Sequence, residues 1–112
     1  MKTSELIGVY LNFAVAKATG MIVQNSDGSV FWGNFSTVTP STSWQQGGPI
    51  IEREEFTLSH SPYDHVLYGR TRPWCAEKKG LMEYGQTPLI AAMRCYVASK
   101  LGDEVEIPEE LT

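Results

Sequence analysis

Cysteine is scarce in this chain: Cys75 and Cys95 are the only two in 112 residues. Two thiols do not make the disulfide framework that small secreted domains use in place of a large core. Cys95 falls inside a helical pattern, where a small buried hydrophobe is the commoner role, so both are expected as reduced thiols. Long apolar runs are missing too, since no stretch of the sequence reaches the ~18 consecutive apolar residues of a membrane span. The first twenty residues contain Glu5, Asn12 and Lys17 rather than a basic start and an unbroken apolar run, which argues against a signal peptide. A cytoplasmic protein without membrane attachment is expected. Positive charge is also short: nine Lys and Arg against thirteen Asp and Glu give a formal net charge of −4. No global field attracts a nucleic-acid backbone, and non-specific nucleic-acid binding is not expected. The glycine-rich signatures of phosphate loops and dinucleotide folds do not occur, so the common enzymes built on them are not indicated.

Enough apolar material remains for one core. Hydrophobic residues make up 42%, with three Trp, four Phe and five Tyr, and charged residues only 20%. That composition and length fit a single domain over residues 1–112 rather than a disordered chain. SELIGVYLNFAVAKATG places Ile7, Leu11, Ala14 and Ala18 on one helical face widened by Leu6, Tyr10 and Phe13. Thr3 or Ser4 is expected to cap this helix and Gly20 to close it, with Gly8 an interior cost of about 1 kcal/mol. Met21 to Gln24 and Val30 to Trp32 flank NSDGS, the pattern of a β-hairpin. Phe56 and Leu58 alternate with polar neighbours in a third strand, and Val66 to Thr71 offers a fourth. QTPLIAAMRCYVASKLG is the clearest element: Thr87 caps, Pro88 suits the first turn, Gly102 follows the end, and Arg94 and Lys100 are expected to reach water or to snorkel. Val105 and Ile107 suggest an edge strand before Pro108. The expected fold is α+β, a small and mainly antiparallel sheet of four or five strands packed with an N-terminal and a C-terminal helix. Such a sheet also admits doubling into a homo-oligomer across a two-fold axis.

Three stretches carry chemistry. SHSPYDH, residues 59 to 65, gathers Ser, His and Asp in one turn, but adjacency supplies neither a held tautomer nor an oxyanion hole. His60, Asp64 and His65 also lack the further ligands that a metal site needs. No catalytic residue, metal or cofactor is therefore assigned. RTRPWCAEKK, residues 70 to 79, brings Arg70, Arg72, Lys78 and Lys79 around Trp74. That set outlines a local anion site, since guanidinium forks hold phosphate and an aromatic face stacks a base; the alternative is a charge-protected sheet edge with one core Trp. In PSTSWQQGGPIIE, residues 40 to 52, Pro40 sets an entry turn, and Gly47, Gly48 and Pro49 are expected to force an exit. Trp44, Gln45 and Gln46 would then ride a single helical turn. Either Trp44 presents a stacking surface beside Ser41, Thr42 and the Gln amides, or it plugs the end of the core.

PSTSWQQGGPIIERE, TPLIAAMRCYVASKLGDEVEIPEEL and SELIGVYLNFAVAKATG together resemble the NinX family of small proteins from lambdoid phages and prophages. The resemblance runs in order over essentially the whole chain; the position of Ser43 is often Asp in the family pattern, and Phe56 to Gly85 is the family's variable part. It implies a phage origin, an accessory role and residence in the infected bacterial cell. The architecture of an N-terminal helix, a hairpin and a Pro-Ser turn leading to a Trp is similar to phage anti-defence sponge proteins that sequester nucleotide signals.

Two functions follow as expectations. The first is a non-enzymatic protein that binds a small nucleotide-like ligand through Ser41, Thr42, Trp44, Gln45, Gln46, Arg70, Arg72 and Trp74 without cleaving it. The second is a protein–protein interaction module acting on host or phage DNA metabolism, as the family's gene neighbourhood of recombination and late-regulation functions suggests.

Overall fold

The computed structural model describes residues 1–20, 23–24, 30–31, 39–60 and 74–107. Its helices are α1 (Gly8–Ala18), α2 (Trp44–Glu54) and α3 (Pro88–Leu101), preceded by a 3-10 turn at Thr3–Glu5. Its strands are β1 (Val23–Gln24), β2 (Val30–Phe31), β3 (Thr57–His60), β4 (Trp74–Lys78) and β5 (Leu81–Gly85). The α+β class holds, but one sheet of four or five strands is not what forms among the described residues. β3, β4 and β5 make a three-stranded antiparallel sheet with β4 central, and β1 and β2 pair as a separate short ladder. The expected strand from Val66 to Thr71 and the SPYDH turn lie outside the described residues.

α3 organises the molecule. Thr87 caps it by accepting the Ile90 N–H at 3.1 Å, Pro88 occupies its first turn, and Gly102 closes it with φ 87°. Every residue from Leu89 to Val97 is buried, the pattern of a helix enclosed on all sides rather than one with a solvated face. Register puts Leu58 opposite Ala76 and Lys78 opposite Leu81. By the two-residue alternation of a strand, Leu58, Trp74, Ala76, Leu81 and Gly85 share one face, and that face meets α3. α1 packs on α3 from elsewhere through Leu11, Ala14 and Val15.

The β4–β5 hairpin is an element that sequence patterning missed. Its two connecting residues, Lys79 (φ 51°) and Gly80 (φ 85°), are both left-handed, the requirement of a tight type I′ connection. Lys replaces the usual Asn at the first position, so the turn carries no obvious sequence signal.

The N-terminus also departs from expectation. Instead of one helix capped by Thr3 or Ser4, the chain makes the 3-10 turn, extends through Leu6 and Ile7, and enters α1 at Gly8, where φ is 60°. Gly8 is thus a conformational requirement at the helix entrance, not an interior cost. Thr3 is buried and donates its hydroxyl to the Gly102 carbonyl at 2.7 Å, while its N–H reaches the Asp103 carbonyl at 2.9 Å. Met1 and Val105 exchange two further backbone bonds, of 2.8 and 2.9 Å. The edge strand expected at Val105 and Ile107 is accordingly a single bridge, Lys2 to Glu104. Gly20 does close α1, with φ 81°.

Arg94 is the main correction within α3. It is 4% exposed, not solvated. Its Nε–H donates to the Leu6 carbonyl at 2.8 Å and one terminal nitrogen to the Tyr84 carbonyl at 2.7 Å. A guanidinium buried without such acceptors would be strongly unfavourable. Arg94→Met is expected to leave two carbonyls unsatisfied and to cost about 2 to 5 kcal/mol in urea unfolding followed by circular dichroism. Arg94→Lys should recover only part of that loss, because an ammonium cannot reproduce the planar fork.

Candidate functional site

The stretch around Trp44 is longer and more ordered than a single turn. α2 is an eleven-residue helix, Trp44–Glu54, and it runs straight through Gly47, Gly48 and Pro49. Local stop signals lose here to packing. Pro49 removes the ladder bond to the Gln45 carbonyl and is costly inside a helix. Against that cost, Ile50 is buried, Ile51 packs against the core, and Glu55 ends the helix in a left-handed conformation. Gly47 makes the approach possible: a Cβ there would lie 2.5 Å from the Pro40 carbonyl oxygen and 2.6 Å from Leu89 Cδ2.

The chain leading into α2 folds back on its first turn. The carbonyl of Thr39 accepts the N–H groups of Thr42 and Ser43 at 3.2 and 2.9 Å. Gln46 returns to Thr39, its Oε1 accepting the Thr39 N–H at 2.7 Å and its Nε2 donating to the Thr39 hydroxyl at 3.4 Å. Ser41 is 1% exposed. Both its N–H (3.0 Å) and its hydroxyl (2.7 Å) donate to Oδ1 of Asn12 on α1.

These bonds sort the expected binding residues. Ser41 faces inward and is committed to Asn12, which removes it from any surface contact. Gln46 is exposed but engaged with Thr39. Thr42 and Gln45 are exposed. Trp44 is 55% exposed, so it does not plug the core; its ring lies beside Gly48, one turn along. Trp74 is half-buried on β4 and meets His60 across the strands at 4.7 Å between ring centroids. Arg70 and Arg72 lie outside the described residues.

The other end of α2 bears a polar cleft of about 330 Å³ lined by Arg53, Glu54, Glu55, Thr57, Glu77, Lys78 and Lys79. Lys78, expected in a ligand-binding basic cluster, is instead ion-paired with Glu54 at 2.7 Å. Arg53 reaches the same carboxylate at 3.2 Å and Lys100 at 3.9 Å. The hydrogen bond from Lys78, with smaller help from Arg53 and Lys100, holds the Glu54 carboxyl below its ordinary value against the opposing effect of burial. Glu54 therefore joins α2 to β4 and α3. Sequence reasoning missed it, because nothing in a Glu-rich helix end singles out one carboxylate.

Cys75 and Cys95 carry thiols rather than a disulfide, and both are buried. Burial pushes the Cys95 thiol up to about 11, so it stays protonated near neutrality and is a poor nucleophile. No helix among the described residues is long and apolar enough to cross a membrane.

The sequence model described as Bacteriophage P22, NinX matches residues 2–100, from the clasped N-terminus to the last turn of α3. The chain belongs to this NinX family. No curated protein matches it. The match takes in the Asn12 helix, the folded strap before α2 and Trp44, so the candidate surface is part of the NinX domain itself.

Two outcomes test this geometry. Gly47→Ala is expected to destabilise the protein by about 1 to 3 kcal/mol through overpacking, whereas Gly48→Ala meets only Trp44 Cε3 at 4.0 Å and should stabilise by roughly 0.5 to 1 kcal/mol through helix propensity. Thermal unfolding of the pair checks the opposite signs. The lowered carboxyl of Glu54 contributes stability that is present above the unfolded glutamate value of 4.5 and is lost as pH falls through the folded one. The melting temperature of Glu54→Gln should accordingly fall less than the parent's between neutral pH and pH about 3.

Proposed function

We propose that this NinX protein is a non-catalytic phage accessory protein that works through a contact surface centred on Trp44, and that the surface engages a host or phage protein. The observation that carries the reading is the exposure of Trp44 on the first turn of a helix, beside Ser41 and Gln46 side chains that are bonded to Asn12 and Thr39. A solvated indole on a rigid turn is the kind of anchor that dominates protein–protein interfaces, because its large apolar area is buried at little conformational cost. A role in DNA metabolism comes with the family resemblance and is part of the same proposal. The residence in the infected cell is likewise proposed.

A second reading, sequestration of a nucleotide-like signal without cleavage, is favoured by one feature: Thr42 and Gln45 are exposed next to the indole. A base stacked on Trp44 would find hydrogen-bonding groups there. Ser41 and Gln46, which that reading also needs, are engaged with Asn12 and Thr39. The protein partner is therefore the better supported occupant.

Trp44→Ala separates these from a structural role. The variant should unfold within about 1 kcal/mol of the parent, as exposed substitutions do. It should lose a protein that the parent retains from host or infected-cell lysate, weakening that complex by about 2 kcal/mol or more, roughly thirtyfold. Calorimetry with a panel of nucleotides is expected to give no heat with either protein. Nucleotide binding lost on Trp44→Ala would establish the second reading, and a variant that keeps every interaction of the parent would overturn both.

A further inference from the structure

We propose that Asn12, on α1, is the positioning residue of the Trp44 surface: it fixes the one arrangement in which the strap of residues 39–43 delivers Trp44 to solvent. The inference rests on the functional reading of Trp44 given above.

Asn12 is the only polar side chain among the buried residues Leu11 to Ala16 of α1. An amide in such a position is unfavourable unless it is bonded, and the strap supplies both donors from one residue, the Ser41 N–H and hydroxyl. Any slip of the strap along α1 would strand the Asn12 oxygen and two Ser41 donors together in the interior. An apolar contact, by contrast, would tolerate a slip. The pair thus discriminates between positions of the strap more than it adds to overall stability.

What Asn12 holds is a closed unit. Thr39 binds Thr42, Ser43 and Gln46, and the Ser43 carbonyl accepts the N–H groups of Gln46 and Gly47 at 3.1 and 2.8 Å. Ser41 lies inside that loop of bonds and Trp44 begins the helix that follows it. Fixing Ser41 therefore fixes the start of α2 and the base of the exposed indole. The second anchor, Gly47 against Pro40 and Leu89, sets how closely α2 approaches α3, whereas the two Asn12 bonds tie the strap to α1.

The test is amide hydrogen exchange with the full chain, together with the Trp44 indole N–H resonance. In Asn12→Leu, the amides of residues 41–47 should exchange about tenfold faster than in the parent while those of α3 change little, and the Trp44 indole resonance should shift or broaden. Asn12→Asp keeps an acceptor for both Ser41 donors and should restore protection of the strap and the parent-like indole signal. Ser41→Ala, which removes one bond only, gives the same comparison if Asn12→Leu does not fold. Uniformly faster exchange throughout the chain would make Asn12 a general stability residue and overturn the proposal. Unchanged exchange at 41–47 would overturn it as well. The outcome is independent of partner capture, because Trp44→Ala tests the surface without touching the Asn12–Ser41 bonds.

Discussion

The buried guanidinium of Arg94 is the interaction on which the rest of the molecule depends. It projects from the middle of α3, a helix with no free face over Leu89 to Val97, and holds the backbone of Leu6 and that of Tyr84 at once. A carbonyl is an undemanding partner for an arginine, but two carbonyls from distant segments demand the planar fork that only this side chain provides. Holding Leu6 draws the N-terminal segment out of the helical path that its composition favours. The chain then needs a left-handed residue to enter α1, and Gly8 supplies it. The position of α1 against α3 follows, and with it the place of Asn12.

From Asn12 the dependence continues to the surface. The strap before α2 bonds Ser41 to Asn12 and Thr39 to Gln46, and Trp44, at the start of the helix that follows, stands exposed. α2 is held at both ends: at its start by that strap and by the close approach of Gly47, at its finish by Glu54 among Lys78, Arg53 and Lys100. A contact residue on a helix fixed in this way is presented in a defined orientation, and a partner does not have to order it on binding.

The elements legible in the sequence are those whose signals are local and agree with one another. Thr87, Pro88, an apolar run and Gly102 all describe the same helix, and α3 forms between those limits. In α2 the local signals disagree with the packing. Gly47, Gly48 and Pro49 read as an exit, yet a glycine without a Cβ is also what lets a helix lie against Pro40 and Leu89, and the second use prevails. The β4–β5 hairpin went unseen because Lys79 takes a left-handed turn position usually held by Asn or Gly, and because Lys78 and Lys79 read as part of an anion site or a charged sheet edge. At the candidate site, Trp44 and the polar character of its surroundings were apparent, but the direction of each side chain was not. Ser41 and Thr42 are adjacent and chemically alike, and one is sealed in the interior while the other faces water.

By itself, the sequence determined the class of the fold, the limits of α3, the closing glycines of α1 and α3, and membership of the NinX family, since each depends on neighbours within a turn or two or on the order of residues along the chain. Tertiary structure alone decided the burial of Arg94, the pairing of Asn12 with Ser41, the conversion of Lys78 from a ligand candidate to a partner of Glu54, and the exposure of Trp44. The pairings among them join groups across separations of 10 to 88 residues. A polar group meets the cost of leaving water only where its partner stands, and no local pattern records that position.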